Sequence, residues 1–395
     1  MLKGVIFDMD GVIIDSEPSH AKAIENALSS LGISLPKEYP YRFIGSTTEY
    51  MLKMIIIDFN LSVSVKALNE LYNEALATLI KEEGYIPVPY VIDLIRNLHR
   101  EGYSLAIASS STPEEIAAVT DALEISSCFE KLVSGATVQH PKPAPDVFLK
   151  TLSELNLEAS ECIIIEDSSN GVKAACAAGI PVIGYINPNS GNQDLSLASI
   201  LVEGFDEIDS AFFEKTYCRY HNLPVIIAKT ERLLIKEIPV EDIPALKAIY
   251  QKSEINKFLP ELYNASLDSP ETAIQKHKAY IKNMYQFYNL GLWGVYLKSG
   301  ELIGQCGIEP LQVEDKVEME IGYFIDVPYQ KNHYAKEALD AILTYAARSF
   351  NLSSFTALIL PENTASSKFA VTLGFSYSGE ITRNGILYHK YCIKN

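Results

Sequence analysis

The sequence predicts an α/β chain: a Rossmann-like parallel-sheet core with an inserted helical cap, followed by an α+β region. Three observations lead there. Apolar runs of strand length alternate with helical patterns through the first half. A long stretch of helical periodicity interrupts that rhythm after the first run. In the second half, several strand-like segments follow one another with no helix between them, as antiparallel strands do. At about 150 residues per domain, 395 residues correspond to two or three domains.

LKGVIFD (2–8) is short and apolar and ends in acids, which suits a buried first strand. Residues 17–83 carry helical periodicity with Gly and Pro punctuation at Gly32, Pro36, Pro40 and Gly45, and are expected to form a separate cap over 17–86. From Pro87 the β/α rhythm resumes. A helix is expected over 90–101, then strand YSLAIAS (103–109) and a helix opening at TPEE (112–115). After a turn-rich stretch come helix 144–155, strand CIIIED (162–167), helix 169–178 and strand IPVIGY (180–185). The core of this first domain is thus expected over 1–16 and 87–221. The segment YCRYHNLPVIIAKTE (217–231) shows no clear period and is read as the linker. The second domain, 230–395, opens with ERLLIKEI (231–238) and a helix over 241–250. A long amphipathic helix over 270–288 precedes strands 292–297, 302–309 and 317–325. Helix 334–349, strand 355–360, helix 363–373 and two strands close it.

Charge separates the two halves. Residues 1–221 hold 15 Lys+Arg against 31 Asp+Glu, whereas residues 222–395 hold 18 against 19. So acidic a first half repels a phosphate backbone or an anionic membrane, and neither nucleic acid nor membrane is expected as a partner. No apolar run reaches the roughly 18 residues that span a bilayer, and the N-terminus lacks a basic n-region and a cleavage site. The six cysteines are scattered without a CxxC pair, which argues against zinc and against a disulfide framework. A cytoplasmic enzyme is expected.

Asp8 and Asp10 end the first strand and Gly11 follows at once; Glu166 and Asp167 end CIIIED in the same way. Parallel sheets bind ligands at the carboxyl ends of their strands. Four carboxylates converging there repel one another unless they share a cation, and hard oxygen ligands favour Mg²⁺. Ser109 closes YSLAIAS, with Ser110 beside it, and Lys142 lies between two prolines in HPKPAPD. The motifs DMDGVIIDSE (8–17), ASSS (108–111), KPAPDVF (142–148) and IIIEDSSNGVKAACAAG (163–179) resemble those of the haloacid-dehalogenase superfamily, in its helical-cap branch of phosphoglycolate phosphatases and β-phosphoglucomutases. The resemblance implies that Asp8 is a nucleophile forming an aspartyl-phosphate and that Asp10 is the general acid and then base. It also implies that Ser109 binds the phosphoryl group, that Lys142 neutralises Asp8 and the phosphate, and that Asp167 holds Mg²⁺ with Asp8. Halide departure needs no proton, so Asp10 favours a small phosphorylated metabolite as substrate. His20, one turn beyond Ser16, and Thr47, in FIGSTTEY, are the cap residues expected to meet that substrate. No arginine follows Gly45 where mutase relatives place a phosphate-binding one, although Arg42 lies nearby; simple hydrolysis is favoured over a phosphomutase.

The second half holds EMEIGYFIDVPYQKNHYAKEALDAILTYA (318–346), a strand, a Pro-containing turn and an Ala-rich helix whose start is an anion site. PENTASSKFAVTLGF (361–375) places Asn363 as an N-cap and Gly374 at the helix end. Together with ERLLIKEI and LIGQCGIEP these segments resemble the GNAT acetyltransferase superfamily. That resemblance implies acetyl-CoA with its pyrophosphate over Gln330, Lys331, Asn332, His333, Tyr334 and Ala335 and its pantetheine along 320–325. It further implies an amine acceptor, either a small molecule or a protein N-terminus. Glu318 and Glu320 share one strand face, and either is a candidate to deprotonate the ammonium through water, with Glu320 favoured. Asn363 and Ser366 are expected at the cofactor, and Trp293, Tyr285, Phe287 and Tyr288 are candidates for the acceptor pocket. Two departures stand out: Lys331 and His333 occupy usual glycine positions, and Ala370 replaces the tyrosine that serves many relatives as the thiolate's acid. The competing reading is a binding module that has kept the fold without catalysis.

Overall fold

The computed structural model describes residues 1–36, 39–43, 48–313 and 316–394, apart from the side chain of Tyr41. Thr47 lies outside the described residues. The chain divides into two compact units, Met1–Tyr220 and His221–Asn395.

The first unit is built on six parallel strands: β1 (Gly4–Phe7), β2 (Ser104–Ser109), β3 (Lys131–Ser134), β4 (Cys162–Glu166), β5 (Val182–Tyr185) and β6 (Ile200–Val202). They lie in the order β3-β2-β1-β4-β5-β6. Strand order reverses between β1 and β4, and the crevice at such a reversal is where open α/β sheets bind ligands. Alternate side chains face opposite sides of the sheet. Val5, Phe7, Leu105, Ile107, Ile163 and Ile165 pack against helices α4 (Val91–Arg100), α5 (Pro113–Ala122) and α8 (Ser210–Tyr220). Ile6, Ala106, Ala108, Ile164 and Val182 pack against α6 (Asp146–Leu155) and α7 (Ser169–Ala177). Both faces are therefore dry, which explains the unbroken apolar runs of β1 and β4. Between β1 and β2 the chain forms α1 (Glu17–Ser29), α2 (Thr48–Asp58) and α3 (Val65–Glu83). These carry a core of their own around Ile24, Leu28, Leu52, Ile55, Leu68 and Tyr72.

The second unit has eight strands: β7 (Ile226–Lys229), β8 (Leu233–Lys236), β9 (Gly291–Leu297), β10 (Leu302–Val313), β11 (Lys316–Ile325), β12 (Ser354–Ile359), β13 (Ser376–Arg383) and β14 (Ile386–Lys394). Their order is β13-β14-β12-β11-β10-β9-β8-β7. Every neighbouring pair is antiparallel except β11 and β12, which run parallel and meet at the single register pair Glu320–Thr356. Helices α9 (Ile243–Tyr250), α10 (Ser253–Asn256), α11 (Pro260–Ser266) and α12 (Pro270–Tyr280) come before β9, and α12 continues as a π-type segment to Tyr288. Helix α13 (Tyr334–Phe350) buries Leu339 and Ile342 against Trp293, Cys306 and Ile308. Helix α14 (Thr364–Thr372) precedes β13.

The division between the units falls at Tyr220–His221, inside the segment read as linker, but that segment is not without regular structure. Residues 217–220 complete α8, and Ile226–Lys229 are edge strand β7, paired with β8. An irregular register between Ile226 and Ala228 breaks the period-2 pattern that would have revealed the strand. Strands β3 and β6 were also not anticipated. They are edge strands of four and three residues, too short to carry a readable period.

Candidate functional site

The buried cluster of the first unit is built at the carboxyl ends of β1, β2 and β4. Asp8 follows β1 and its backbone N–H donates to Ile165 on β4 at 3.0 Å, which holds the two strand ends side by side. Asp8, Glu166 and Asp167 are all buried, with ligating oxygens within 4.8 Å of one another. Lys142 reaches them from the segment before α6, its Nζ 2.6 Å from Asp8 Oδ1 and 2.6 Å from Glu166 Oε1. Nζ also donates to the Ala108 carbonyl at 3.1 Å and sits 4.9 Å from the centre of the Phe148 ring. Ser168 caps α7 and donates to Glu166 Oε2 through both its N–H and its hydroxyl, at 2.9 Å each. Two glycines are needed for this packing. A β-carbon at Gly11, where φ is +81°, would lie 1.9 Å from Asp167 Oδ2, and one at Gly171 would lie 1.6 Å from Glu166 Oε1.

Three carboxylates with one ammonium among them leave the buried cluster short of positive charge. Burial raises the Asp8 carboxyl to about 7, Lys142 opposes the rise and Glu166 adds to it. Asp167 is raised well above the usual carboxylate range by burial and then by Glu166 and Asp8. Burial disfavours the Lys142 charge, but Asp8 and Glu166 outweigh it and hold the ammonium above the ordinary lysine range. An oxygen-rich, electron-rich pocket of this kind fits a hard divalent cation.

The Asp10 carboxylate is not one of that trio. Its Oδ2 accepts from Ser111 Oγ at 2.6 Å and from Ser109 Oγ at 3.5 Å, and Ser109 Oγ accepts from the Ser111 N–H at 3.0 Å. Ser110 is exposed. His20, on α1, bonds through Nδ1 to the Tyr72 hydroxyl of α3 and feels the charge of Asp10, while burial lowers its pKa. Glu17 is raised to about 7 by burial, Asp10 and Asp15.

In the second unit the turn after β11 is held by Asp326, which accepts from Lys252 Nζ at 2.7 Å with both oxygens. Gln330 Nε2 donates to the Ile325 carbonyl at 2.8 Å. Gln330, Lys331, Asn332 and His333 are exposed, and Tyr334 and Ala335 are half-buried. Lys331 and His333 both adopt the left-handed backbone, at φ +64° and +65°. The loop thus follows the path a glycine would take, without glycine. Helix α13 starts at once, so the amides of its first turn lack intrahelical acceptors. Glu320 pairs with Arg383 at 2.9 Å. Burial raises the Glu320 carboxyl, Arg383 lowers it and Glu309, directly opposite on β10, raises it again. Glu318 differs, because bonds to Lys390 and Thr356 outweigh burial and hold it low. Asn363 caps α14 through the Ser366 N–H at 3.1 Å, and Tyr323 donates to Ser366 Oγ at 3.4 Å.

Residues 5–185 match the model of the haloacid dehalogenase-like hydrolases, and residues 232–376 match that of the acetyltransferase (GNAT) domain. Fructose-1-phosphate phosphatase YqaB of Escherichia coli is 30% identical over 46% of this chain and 94% of its own length. The chain belongs to the haloacid dehalogenase-like hydrolase family. This hydrolase carries a GNAT domain at its C-terminus. Phosphoglycolate phosphatase of Salmonella typhimurium is 25% identical over 52% of this chain and 91% of its own length. The crystal structure of β-phosphoglucomutase from Clostridium difficile is 25% identical, with 56% of this chain and 100% of that chain covered at a TM-score of 0.46.

Within the hydrolase unit the structure brings Asp8, Lys142, Glu166 and Asp167 into contact, with Asp10 and Ser109 as a second group beside them. In the GNAT domain Trp293 and Tyr285 belong to the core, whereas Phe287 and Tyr288 are exposed, so the four form no single pocket. Sequence reasoning missed Ser111, the nearest hydroxyl to Asp10. It also missed Asn187, Asn189 and Ser190, which follow β5 and bond to Gly11, Asp15 and Asp167. The available signal was a run of Asn and Ser just past the carboxyl end of a parallel strand.

Proposed function

We propose that the first unit is a Mg²⁺-dependent phosphomonoester hydrolase acting through an aspartyl-phosphate on a small phosphorylated metabolite. The observation that carries this reading is the Lys142 ammonium held between Asp8 and Glu166, with Asp167 alongside. An Asp8 oxygen attacks phosphorus, forming the Asp8–phosphate bond as the ester bond breaks, and Asp10 gives its proton to the departing oxygen. Asp10 then takes a proton from the water that attacks the phospho-enzyme, releasing inorganic phosphate and restoring Asp8. Ser109 hydrogen-bonds the transferring group, with Ser110 beside it, and Lys142 offsets charge on Asp8 and the phosphoryl oxygens. Asp8, Glu166 and Asp167, with Asp10 nearby, would hold Mg²⁺, which when bound supplies the charge that lets an anionic phosphate enter. Relatives named for phosphoglycolate and for fructose 1-phosphate support this substrate class. Hydrolysis is favoured over mutase chemistry because Arg42 is engaged within the cap, 3.7 Å from Asp58 and 4.9 Å from the Tyr39 ring centre.

For the GNAT domain the same reading is acetyl-CoA-dependent N-acetylation of an amine. Support comes from the glycine-like backbone of Lys331 and His333 and from the single register pair, Glu320–Thr356, by which β11 and β12 meet. Bound acetyl-CoA supplies an activated thioester. Glu320 removes a proton from the acceptor's ammonium, and Asn363 and Ser366 stand at the start of α14, where Tyr323 of β11 donates to Ser366 Oγ. The test is phosphate release from a panel of phosphorylated metabolites, with and without Mg²⁺, together with calorimetry of acetyl-CoA. Phosphatase activity that needs Mg²⁺ and saturable acetyl-CoA binding are expected. A silent panel would remove the first assignment, and no heat at millimolar acetyl-CoA would remove the second.

A further inference from the structure

Between β5 and β6 the chain runs through residues 186–199, and polar side chains of this segment bond to the acidic cluster and to the segments next to it. Asn187 is buried. Its Nδ2 donates to the Gly11 carbonyl at 2.9 Å and its Oδ1 accepts from the Asn189 N–H at 2.8 Å. Asn189 Nδ2 donates to Asp15 Oδ2 at 2.6 Å. The buried Ser190 hydroxyl donates to Asp167 Oδ2. Gln193 Nε2 donates to the Ser190 carbonyl at 3.0 Å, and Gln193 Oε1 accepts from the Ser169 N–H at 3.0 Å. One short loop thus touches the turn after β1, the acidic end of β4 and the start of α7.

Asp15 stands where the chain enters and leaves the cap. Its N–H donates to the Ile86 carbonyl at 2.8 Å, and the Val88 N–H donates to the Ile13 carbonyl at 3.0 Å. Asp15 Oδ1 is buried and, among the described residues, has no partner. The Asn189 amide is therefore what fixes this carboxylate. A carboxylate that is hydrogen-bonded before a cation arrives has less freedom to lose, and partners one layer out from a ligand set its orientation.

We propose that Asn187, Asn189 and Ser190 form a latch of positioning residues, with Ser190 orienting Asp167 for a divalent cation and Asn189 fixing the cap hinge at Asp15. The proposal rests on the phosphatase reading. It assigns separate effects to adjacent side chains: Ser190 governs cation affinity, and Asn189 governs productive substrate binding under the cap.

The experiment uses the full-length chain, with Mg²⁺ alone titrated by calorimetry and phosphate release from p-nitrophenyl phosphate followed against Mg²⁺ and substrate. Ser190→Ala is expected to weaken Mg²⁺ binding about tenfold and to raise the Mg²⁺ needed for half-maximal activity in step. Ser190→Thr, which keeps the hydroxyl, restores most of that loss. Asn189→Ala is expected to raise KM several-fold with little change in Mg²⁺ affinity. A Ser190→Ala protein that melts earlier yet titrates Mg²⁺ like wild type would reduce the latch to ordinary loop packing and overturn the proposal. Should Ser190→Ala not fold, Ser190→Cys, a weak donor of similar size, is judged by the same two outcomes. Wild type that neither binds Mg²⁺ nor releases phosphate would bring down the phosphatase reading and the latch together. Wild type that does both, beside an unaffected Ser190→Ala, removes the latch alone.

Discussion

The two units would present charge to the ligands proposed for them in opposite ways. In the hydrolase unit the groups are side chains, buried at strand ends and locked to one another through Lys142. In the GNAT domain the groups proposed to face an anion are backbone amides of an exposed turn and the start of α13. The first arrangement dictates residue types, since only carboxylates and an ammonium can fill it. The second dictates a backbone path, and Lys331 and His333 meet it at φ +64° and +65°. Side-chain sites are spelled in the sequence. A backbone site can be respelled and keep its shape.

The sharpest way to break this contrast is Asp8→Asn. The amide is a poor nucleophile, so phosphate release should fall by at least about three orders of magnitude while circular dichroism stays unchanged. Turnover near wild type would show that the buried cluster is not the reacting centre.

Stability separates the units next. Lys142→Ala leaves Asp8 and Glu166 buried without their counter-charge and should cost about 3–5 kcal/mol in the unfolding transition of the first unit. Lys336→Ala removes an exposed pair with Asp340 on α13 and should cost about 0.5 kcal/mol or less. Equal costs would mean that burial does not distinguish the two sites.

The pH profile of acetyl transfer sharpens the comparison in the second unit. A raised Glu320 must lose its proton before it can act as a base, so the acid limb should lie above the ordinary carboxylate range. Arg383→Ala removes the influence that lowers Glu320 and should move the limb to higher pH; Glu309→Gln should move it to lower pH. A profile indifferent to both changes would exclude Glu320 as the base.

The smallest effects belong to the respelled loop. Lys331→Ala should weaken acetyl-CoA binding several-fold, about 1 kcal/mol or less, and reduce its salt dependence. His333→Gly should leave binding equal or tighter, because glycine takes the observed φ without strain. Abolished binding in that variant would make the imidazole a contact, and the backbone account would be wrong.

This contrast also explains what could be read from sequence. Strands β1, β2, β4 and β5 were legible within one or two residues because each is an apolar run, and acids follow β1 and end β4. The acidic residues and Lys142 were legible because chemistry restricts them to few residue types. Ser111 and the Asn187–Ser190 loop were not, since Ser and Asn past a strand end read as turn residues until a fold shows what they touch. The positive φ at His333 is not announced by histidine itself; its one signal was that His333 occupies a usual glycine position.

The paired backbone at Asp15–Ile86 and Ile13–Val88 has a consequence for the chain's history. The cap's two ends are neighbours across a hydrogen bond, so its helices hang from the sheet through a single doorway. A segment attached in this way can be exchanged, resized or replaced by a tight turn while strands β1 and β2 keep their register. The parallel sheet is the fixed part of this unit, and the cap is the part whose attachment leaves it open to exchange.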